Sequence, residues 1–392
     1  MLSINMDDVM QVVSNIQNYL IAFGVVLVLA LLVMFAVRKM PKAKKKMIRA
    51  QSGLAILLAL AIVANLICTG PMSTMLDLVS GEGSISEETS AEATELVNEI
   101  TQEGIVLAQN DDNILPVASG SKLNVFGWSS TNPCYGGSGA LNDAYPVTDL
   151  LTGLHDAGIE TNDELSKFYT DYCATRPSVG MAQQDWTLPE PNVSLYTDEM
   201  MANAKEYSDT AMVVITRVGG EGADLPSGAN GTNDSWISGS EGSGNYLELS
   251  AEEIELLKNL KALKDNGTFK SIVVLINSSN ALEMDFLNPA ICGEDYGIDA
   301  AMWIGDVGQT GINGVGQLLA GTVTPSGSLV DTYLYDNLAN PAMYNFYTQA
   351  YPNAAEYNLL TEGADVQGMY SVYQEGIYLG YRYFETRYED VV

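Results

Sequence analysis

An apolar run of strand length, then a loop of small polar residues, then a helical pattern recurs along most of the chain. The strand-like runs end in loops rich in Gly, Ser, Asn or Asp, and they cover residues 122–127, 212–216, 271–276 and 300–304. Helical patterns follow or separate them at residues 149–158, 251–264 and 312–320, and Ser250 is the expected N-cap of the second. An earlier helical pattern includes Ile105 and Leu107. Apolar strands that alternate with helices form mostly parallel sheets covered by helices. The sequence therefore predicts an α/β fold, a mostly parallel sheet sandwiched by helices, with the loops along one edge of that sheet.

The charge of the chain is strongly asymmetric. Its formal net charge is -31, from 18 Lys and Arg against 49 Asp and Glu. Seven of the basic residues lie between Arg38 and Arg49, so that residues 72–392 hold 11 Lys and Arg against 47 Asp and Glu. A surface this acidic repels nucleic acid and anionic lipid headgroups. We therefore expect no nucleic-acid partner.

Two uncharged apolar runs flank the basic stretch, at residues 19–37 and 53–70. Each is close to the roughly 20 residues that cross a bilayer. By the positive-inside rule, the loop from Arg38 to Arg49 is cytoplasmic and the acidic remainder is outside the cell. The alternative for the first run is a cleaved signal peptide, but its basic residues follow the apolar run instead of preceding it. The sequence thus predicts a cell-membrane protein with a two-helix anchor at residues 1–71, a linker at 72–91 and a large extracellular domain at 92–392.

Cysteine and histidine usage excludes several kinds of site. Cys68 lies in the second apolar run, and Cys134, Cys173 and Cys292 show no metal-type spacing, although one disulfide is possible. His155 is the only histidine, on a predicted amphipathic helix, and it is expected at the surface or packed against the fold. We therefore expect no metal site and no Ser/His/Asp chemistry.

One carboxylate stands out among the many. Glu221 lies in the segment Arg217–Asp224, directly after the apolar run 210–216, with glycines on both sides. Glycine lets a ligand approach the backbone closely, and cleavage of a glycosidic bond needs a carboxylic acid aimed at the leaving oxygen. Asp224 is near enough for like-charge repulsion to favour the protonated form of one of the two acids. The alternatives are a merely hydrated acidic loop or a calcium site, and the spacing of its carboxylates does not match an EF-hand.

A second glycine-rich loop lies at residues 136–139. It lacks both the Gly-x-Gly-x-x-Gly spacing of a dinucleotide fold and the Lys-Ser/Thr of a P-loop. A tight turn is the simpler interpretation. We therefore predict no nucleotide and no other cofactor.

Taken together in order, six motifs resemble the α/β sandwich domain of glycoside hydrolase family 3, the β-glucosidase and β-xylosidase group. The resemblance covers about Glu92 to Val392. The motifs are residues 103–110 with 114–116, 136–139, 219–224, 308–311, 324–327 and 373–383.

The resemblance implies a function and site residues. Family members hydrolyse terminal β-glycosides with retention, using an aspartate nucleophile from a TIM barrel and an acid/base glutamate that the sandwich domain commonly supplies. By its motif, Glu221 matches that general acid/base, and Ser138 matches a loop serine that reaches the sugar. Gly137 and Asp224 are weaker candidates for substrate binding. A β-linked oligosaccharide or glycoside is the substrate class that follows.

The chain departs from the family pattern in one respect. A barrel of roughly 250 residues does not fit beside the sandwich, and no Ser-Asp-Trp nucleophile motif is present. The chain resembles the front part of a member with reversed domain order, so we expect a TIM barrel after residue 392 and little activity from this chain alone. The alternative hypothesis is a non-catalytic, surface-displayed carbohydrate-binding or scaffolding domain. A third, a nucleotide-dependent α/β protein, would require tight phosphate binding, which we do not expect.

Overall fold

The computed structural model describes most of the chain in two compact units, Met1–Glu87 and Glu88–Val392. The described residues are 6–73, 76, 85–118, 120–136, 145–180, 183–220, 225–226, 245–340, 342, 349–350, 369–370, 372–373 and 375–387.

The first unit is a pair of long apolar helices. Helix α1 spans Met6–Ala36, a 3-10 turn follows at Val37–Lys39, and α2 spans Lys42–Thr69 and packs against α1. Pro41 excludes the helical conformation at the residue before it, which separates the two helices. Both helices are long and apolar enough to cross a membrane, although an apolar helix near an N-terminus can also be a signal sequence. Their apolar side chains are mostly exposed, unlike those of a core helix in a soluble domain.

The second unit contains the remaining described elements. Its helices are α3 (Glu87–Gly104), α4 (Leu150–Asp156), α5 (Asp163–Tyr172), α6 (Asp198–Tyr207), α7 (Ala251–Asp265), α8 (Pro289–Cys292), α9 (Ile312–Leu319) and α10 (Tyr381–Arg387). Its strands are β1 (Val106–Asn110), β2 (Lys122–Phe126), β3 (Glu160–Thr161), β4 (Val179–Gly180), β5 (Gln183–Gln184), β6 (Thr210–Thr216), β7 (Ser271–Asn277), β8 (Ala300–Trp303), β9 (Gln349–Ala350) and β10 (Met369–Tyr370).

Six of the strands form one sheet in the order β1-β8-β7-β6-β2-β3. Only β1 runs antiparallel to its neighbour within this sheet, so the predicted mostly parallel sheet is confirmed. Alternate residues of β6 point into two separate cores, Val213 and Ile215 into one and Met212 and Val214 into the other. Helices α5, α6 and α7 cover the first core, and α4 and α9 cover the second. The sheet is therefore sandwiched by helices, as the sequence predicts.

Two boundaries at the start of this unit differ from the sequence-based expectation. Helix α3 begins at Glu87, inside the segment 72–91 predicted as a linker. The helical pattern that included Ile105 and Leu107 was wrong at its end, because α3 stops at Gly104 and Leu107 belongs to β1. Ile105 is buried in the sheet core, and Leu107 aligns with Met302 of β8. Pairing with a strand nearly 200 residues away overrides the local helical period here.

Candidate active site

The ends of β2 and β6 meet at a point where the direction of the connections reverses. The two strands are parallel neighbours, with Phe126 aligned to Val213. From β2 the chain continues through α4 to β3 on one side, and from β6 it continues through α7 to β7 on the other. Such a switch point opens a crevice at the carboxyl ends of the strands, where open α/β sheets bind ligands. The loops after β2 and β6 leave the sheet at this crevice.

Gly127 allows these two strand ends to lie close together. Its φ of 89° is a conformation that favours glycine, and a Cβ placed there would lie 2.6 Å from the carbonyl oxygen of Val214. Any larger residue would have to push the turn after β2 away from β6.

The predicted site residues themselves, Glu221, Asp224, Gly137 and Ser138, lie outside the described residues. The structure describes the residues that lead to them, Gly136 on one loop and 217–220 on the other. Their roles as acid/base and substrate-binding groups therefore stay predictions. What the structure does show is how firmly the two loops are attached to the sheet edge.

A buried ion pair fixes the chain just before Glu221. Arg217 is fully buried, and its Nη1 and Nη2 donate to the two carboxylate oxygens of Glu253 at 2.9 and 2.6 Å. Its guanidinium also donates to the backbone carbonyls of Thr216, Tyr246 and Glu248. Burial lowers the pKa of Arg217, but the charge and hydrogen bonds of Glu253 outweigh it and leave the pKa raised. The guanidinium is thus held charged, with all three nitrogens bonded.

The same carboxylate caps α7. The Ser250 hydroxyl accepts from the backbone N–H of Glu253 at 3.2 Å, and the Glu253 carboxylate accepts from the backbone N–H of Ser250 at 2.8 Å. This reciprocal capping box confirms the cap predicted at Ser250. Glu253 therefore joins the start of α7 to the exit of β6.

Asn277, at the end of β7, holds the other loop. Its side-chain oxygen accepts from the backbone N–H of Cys134 at 2.6 Å, and its amide donates to the carbonyls of Cys134 and Gly305 at 2.9 and 2.7 Å. Asn277 is fully buried. One side chain thus links the segment before Gly136 to the ends of β7 and β8.

Asn280 lies against the second loop. Its amide donates to the carbonyl of Arg217 at 3.3 Å, and a Cβ on Gly219 would lie 2.7 Å from its side-chain oxygen. A side chain at position 219 would therefore have to displace the Asn280 amide and disturb its hydrogen bond to Arg217.

A buried carboxyl group supports the turn after β2. Glu190 accepts from the backbone N–H of Trp128 at 2.7 Å and from the Tyr196 hydroxyl at 3.2 Å. Tyr169 bonds to Tyr196 and accepts from the N–H of Gly127. Burial raises the pKa of Glu190 to about 8, although the Trp128 N–H partly opposes the shift. At neutral pH this carboxyl group is therefore mostly protonated.

We expect a Glu190→Gln variant to gain stability over the wild type as the pH rises. The carboxyl group ionises near pH 4.5 in the unfolded chain but holds its proton to about pH 8 in the fold. The wild type is therefore fully stabilised below about pH 4.5 and loses stability between pH 4.5 and 8, at most about 1.4 kcal/mol per pH unit. Chemical denaturation at several pH values measures the difference. Exposed Glu206→Gln is the control, and an unchanged difference between pH 5 and 8 would contradict the assignment.

The cysteines and the histidine show no feature of a nucleophile or a metal ligand among the described residues. All four cysteines are free, and burial raises the pKa of Cys134 to about 12, so its thiol is not a nucleophile at neutral pH. The ring of His155 is hydrogen-bonded to the Thr161 hydroxyl at 2.9 Å. Within the described residues, no group of three His, Cys, Asp or Glu side chains could hold a metal ion.

Several residues at the crevice escaped the sequence analysis. Arg176 and Glu190 belong to none of the motifs, and the sequence identified Asn277 and Asp306 only as residues of the loops that end two strands. A signal for Arg176 and Arg217 does exist in the composition, since they are two of only four arginines after residue 71. An arginine that directly follows a buried apolar strand, as Arg217 does, must find partners inside the fold.

Comparison with known proteins gives one family and one fold. The family model described as the glycosyl hydrolase family 3 C-terminal domain matches residues 105–381. A β-glucosidase from Ruminococcus albus is 30% identical over 306 residues, which is 77% of this chain and 27% of that protein. β-Glucosidase A from Butyrivibrio fibrisolvens is 29% identical over 321 residues, 79% of this chain and 35% of that protein. The chain thus spans about a third of the length of these relatives.

Comparison with solved structures gives the same fold. A β-glucosidase from Paenibacillus barengoltzii matches with a TM-score of 0.56 and 28% identity, covering 77% of this chain and 28% of that one. β-Glucosidase 3B from Thermotoga neapolitana, solved with glucose, matches with a TM-score of 0.55 over 90% of this chain and 44% of that one. Its 22% identity supports the fold alone.

Proposed function

Because this chain belongs to glycoside hydrolase family 3, we propose that it supplies the acid/base half of a retaining β-glucosidase-like enzyme. The observation that carries the proposal is the buried Arg217–Glu253 pair, which fixes the start of the Glu221 loop at the switch point of the sheet. A general acid must be positioned precisely, and a loop that begins at a fixed strand end provides that position. The substrate is a terminal β-linked glycoside, as the names of the relatives suggest.

In this mechanism Glu221 acts in both steps, first as an acid and then as a base. As an acid it gives its proton to the oxygen of the leaving group, and as a base it then takes a proton from the water that releases the sugar. The nucleophile is a second carboxylate within about 5 to 5.5 Å of it. We expect that carboxylate from a TIM barrel domain, since the 392 residues contain no Ser-Asp-Trp motif. This chain alone should then hydrolyse little.

The proposed location of the protein in the cell membrane rests on the two apolar helices of the first unit. We propose that α1 and α2 form a two-pass membrane anchor, with the basic segment between them in the cytoplasm and the acidic second unit outside. An outward-facing site would meet oligosaccharides before they enter the cell.

The two apolar helices before the second unit also suit a second candidate, a surface-displayed carbohydrate-binding or scaffolding domain. Such a domain would use the same crevice but would not require Glu221 to change its protonation state. It predicts glycoside binding that a Glu221→Gln substitution leaves unchanged, and no hydrolysis when a family barrel is supplied.

The test is hydrolysis of β-glucosides by the protein that joins this chain to a family barrel. We expect Glu221→Gln to lower kcat for alkyl β-glucosides by about a hundredfold or more, because the leaving alkoxide then departs without a proton. For 2,4-dinitrophenyl β-glucoside the first step should suffer much less, since that leaving group needs no acid. Azide should restore turnover of this substrate to Glu221→Gly by replacing the water that lacks a base.

Glu241→Gln is the matched control, because Glu241 belongs to the same glycine- and serine-rich stretch of sequence and is expected only to be hydrated. Its rates should equal those of the wild type. Equal rates for Glu221→Gln and the wild type on alkyl glucosides, with no azide effect on Glu221→Gly, would falsify the acid/base assignment.

A further inference from the structure

Arg176 lies at the crevice with two unused donors. Its guanidinium stacks on the ring of Trp128, with Cζ 4.7 Å from the ring centroid, and Trp128 lies two residues after the end of β2. The Nε and Nη2 atoms are inaccessible to solvent, and neither has a hydrogen-bond acceptor among the described residues. The two atoms form one edge of the guanidinium, the edge whose parallel N–H groups fit a pair of oxygen atoms.

Asp306, after β8, offers an unused acceptor nearby. Its Oδ2 accepts from the Ser279 hydroxyl at 2.8 Å, and the Cys134 thiol is a weak donor to the same carboxylate, whereas Oδ1 is buried and has no N–H or O–H donor within the described part of the chain. The charges of Asp306 and Arg176 interact, and both groups also interact with Cys134. The free atoms of the two residues are nevertheless not bonded to each other.

Three buried polar atoms without partners among the described residues, on two side chains whose charges interact, require an explanation. Each one loses its hydrogen bonds to water on folding, and folded proteins satisfy nearly all such atoms. Burial lowers the pKa of Arg176 and raises that of Asp306, in keeping with two charged groups that lack full compensation. An arrangement of this kind, two parallel donors and one acceptor, is complementary to adjacent hydroxyl groups.

The charge of the surroundings decides between a neutral and an anionic ligand. An arginine edge also fits a carboxylate or a phosphate. The Asp306 carboxylate interacts with the same guanidinium, and the chain after residue 71 carries 47 acidic against 11 basic residues. An anion would meet repulsion from both. A neutral diol accepts from the guanidinium and donates to the carboxylate, so it satisfies all three atoms.

We propose that Arg176 and Asp306 bind two adjacent hydroxyl groups of the glycoside, the guanidinium donating to both oxygens and Asp306 Oδ1 accepting from one hydroxyl. This inference rests on the proposed function, because it takes the ligand to be a neutral sugar. It makes the two residues recognition groups of the same crevice, on segments that the family motifs do not include.

The experiment is saturation-transfer NMR and calorimetry on the full chain in detergent micelles, with methyl β-D-glucopyranoside and its monodeoxy analogues. Wild-type protein should bind the parent glycoside and bind one or two of the deoxy analogues about tenfold more weakly. Arg176→Met should bind the parent about tenfold more weakly and should no longer distinguish those analogues. Arg176→Lys should not restore binding, because an ammonium group lacks the parallel edge. Asp306→Asn keeps the side-chain shape, and it should weaken binding without altering the fold.

Stability measurements separate recognition from a structural role. Arg176→Met removes no hydrogen bond of Nε or Nη2, so any fall in its melting temperature should come only from the lost contact with Trp128 and the lost charge beside Asp306, and binding is compared at a temperature at which the variant is folded. Exposed Arg382→Met is the control for loss of one positive charge. Three results would overturn the inference: no glycoside binding by the wild type, wild-type affinity in both Arg176→Met and Asp306→Asn, or Arg176-dependent binding of inorganic phosphate or methyl β-D-glucuronide in place of the neutral glycoside.

The outcome is independent of the test of Glu221. Binding that depends on Arg176 while Glu221→Gln hydrolyses normally would retain this inference and refute the acid/base assignment. Hydrolysis that depends on Glu221 while Arg176→Met binds like the wild type would do the reverse.

Discussion

Replacing Glu253 with alanine should lower the free energy of unfolding of the second unit by about 3 to 5 kcal/mol, as is typical when one partner of a buried ion pair is removed. The substitution leaves the guanidinium of Arg217 charged, with no exposed surface and without its two carboxylate acceptors. It also removes the capping bond to the N–H of Ser250. Most of the effect comes from the charge that remains, and the cap contributes about 1 kcal/mol.

The measurement is denaturant unfolding of the full chain, followed by tryptophan fluorescence. All four tryptophans lie after residue 127, so the signal reports the second unit and not the apolar helices. Glu255→Ala, an exposed position two residues further along α7, is the matched control and should change stability by less than about 0.5 kcal/mol.

A double variant distinguishes the orphaned charge from the loss of packing. Arg217→Met with Glu253→Leu removes both charges, so it should recover part of the stability lost in Glu253→Ala. The recovery is incomplete, because the carbonyls of Thr216, Tyr246 and Glu248 lose the donors that Arg217 provides. A double variant less stable than Glu253→Ala would show that the interactions of the Arg217–Glu253 pair stabilise the unit by more than the free energy needed to bury its two charges.

The central strands could be predicted because they are apolar along their whole length. The sequence-based ranges for β2, β6, β7 and β8 lie within two residues of those in the structure. Parallel strands in the middle of a sheet are buried on both faces, which leaves an uninterrupted apolar run between loop residues. The capping residue Ser250 identified the start of α7 for a similarly local reason.

The edge of the sheet could not be predicted in the same way. β1 is only partly buried, and its partner β8 lies nearly 200 residues away, so neither composition nor neighbouring residues identify it. Helices α5 and α6 are short and rich in polar residues, and they bury only a narrow face. Their positions depend on tertiary packing, which a local pattern does not contain.

The residues of the candidate site also differ in whether the local sequence predicts them. The motif 219–224 identified the loop after β6, and its position at the switch point agrees with the general rule for open α/β sheets. Arg176 and Glu190 lie in irregular segments, and their importance comes from contacts with Trp128 across the fold. Such contacts join residues more than 40 positions apart, so the local sequence does not predict them.

Replacing Asn277 with alanine should lower the free energy of unfolding by about 2 to 4 kcal/mol, since three backbone groups lose their partners. These are the N–H and carbonyl of Cys134 and the carbonyl of Gly305, each now bonded to the Asn277 side chain inside the fold. Asn259→Ala, at an exposed position on α7, is the control and should be nearly neutral. Fluorescence-detected unfolding, as for Glu253→Ala, gives the comparison.

Asn277→Asp tests whether the donors of this side chain matter more than its size. An ionised aspartate can accept from the N–H of Cys134 but faces the carbonyl oxygens of Cys134 and Gly305 with no proton to give. We therefore expect Asn277→Asp to be less stable than Asn277→Ala at pH 8. Burial beside two carbonyls raises the pKa of such a group, so its stabilising form is the protonated one, which is lost as the pH rises. The gap between the two variants should accordingly shrink or reverse by pH 5, and a gap that is independent of pH would mean that Asn277 acts through packing alone.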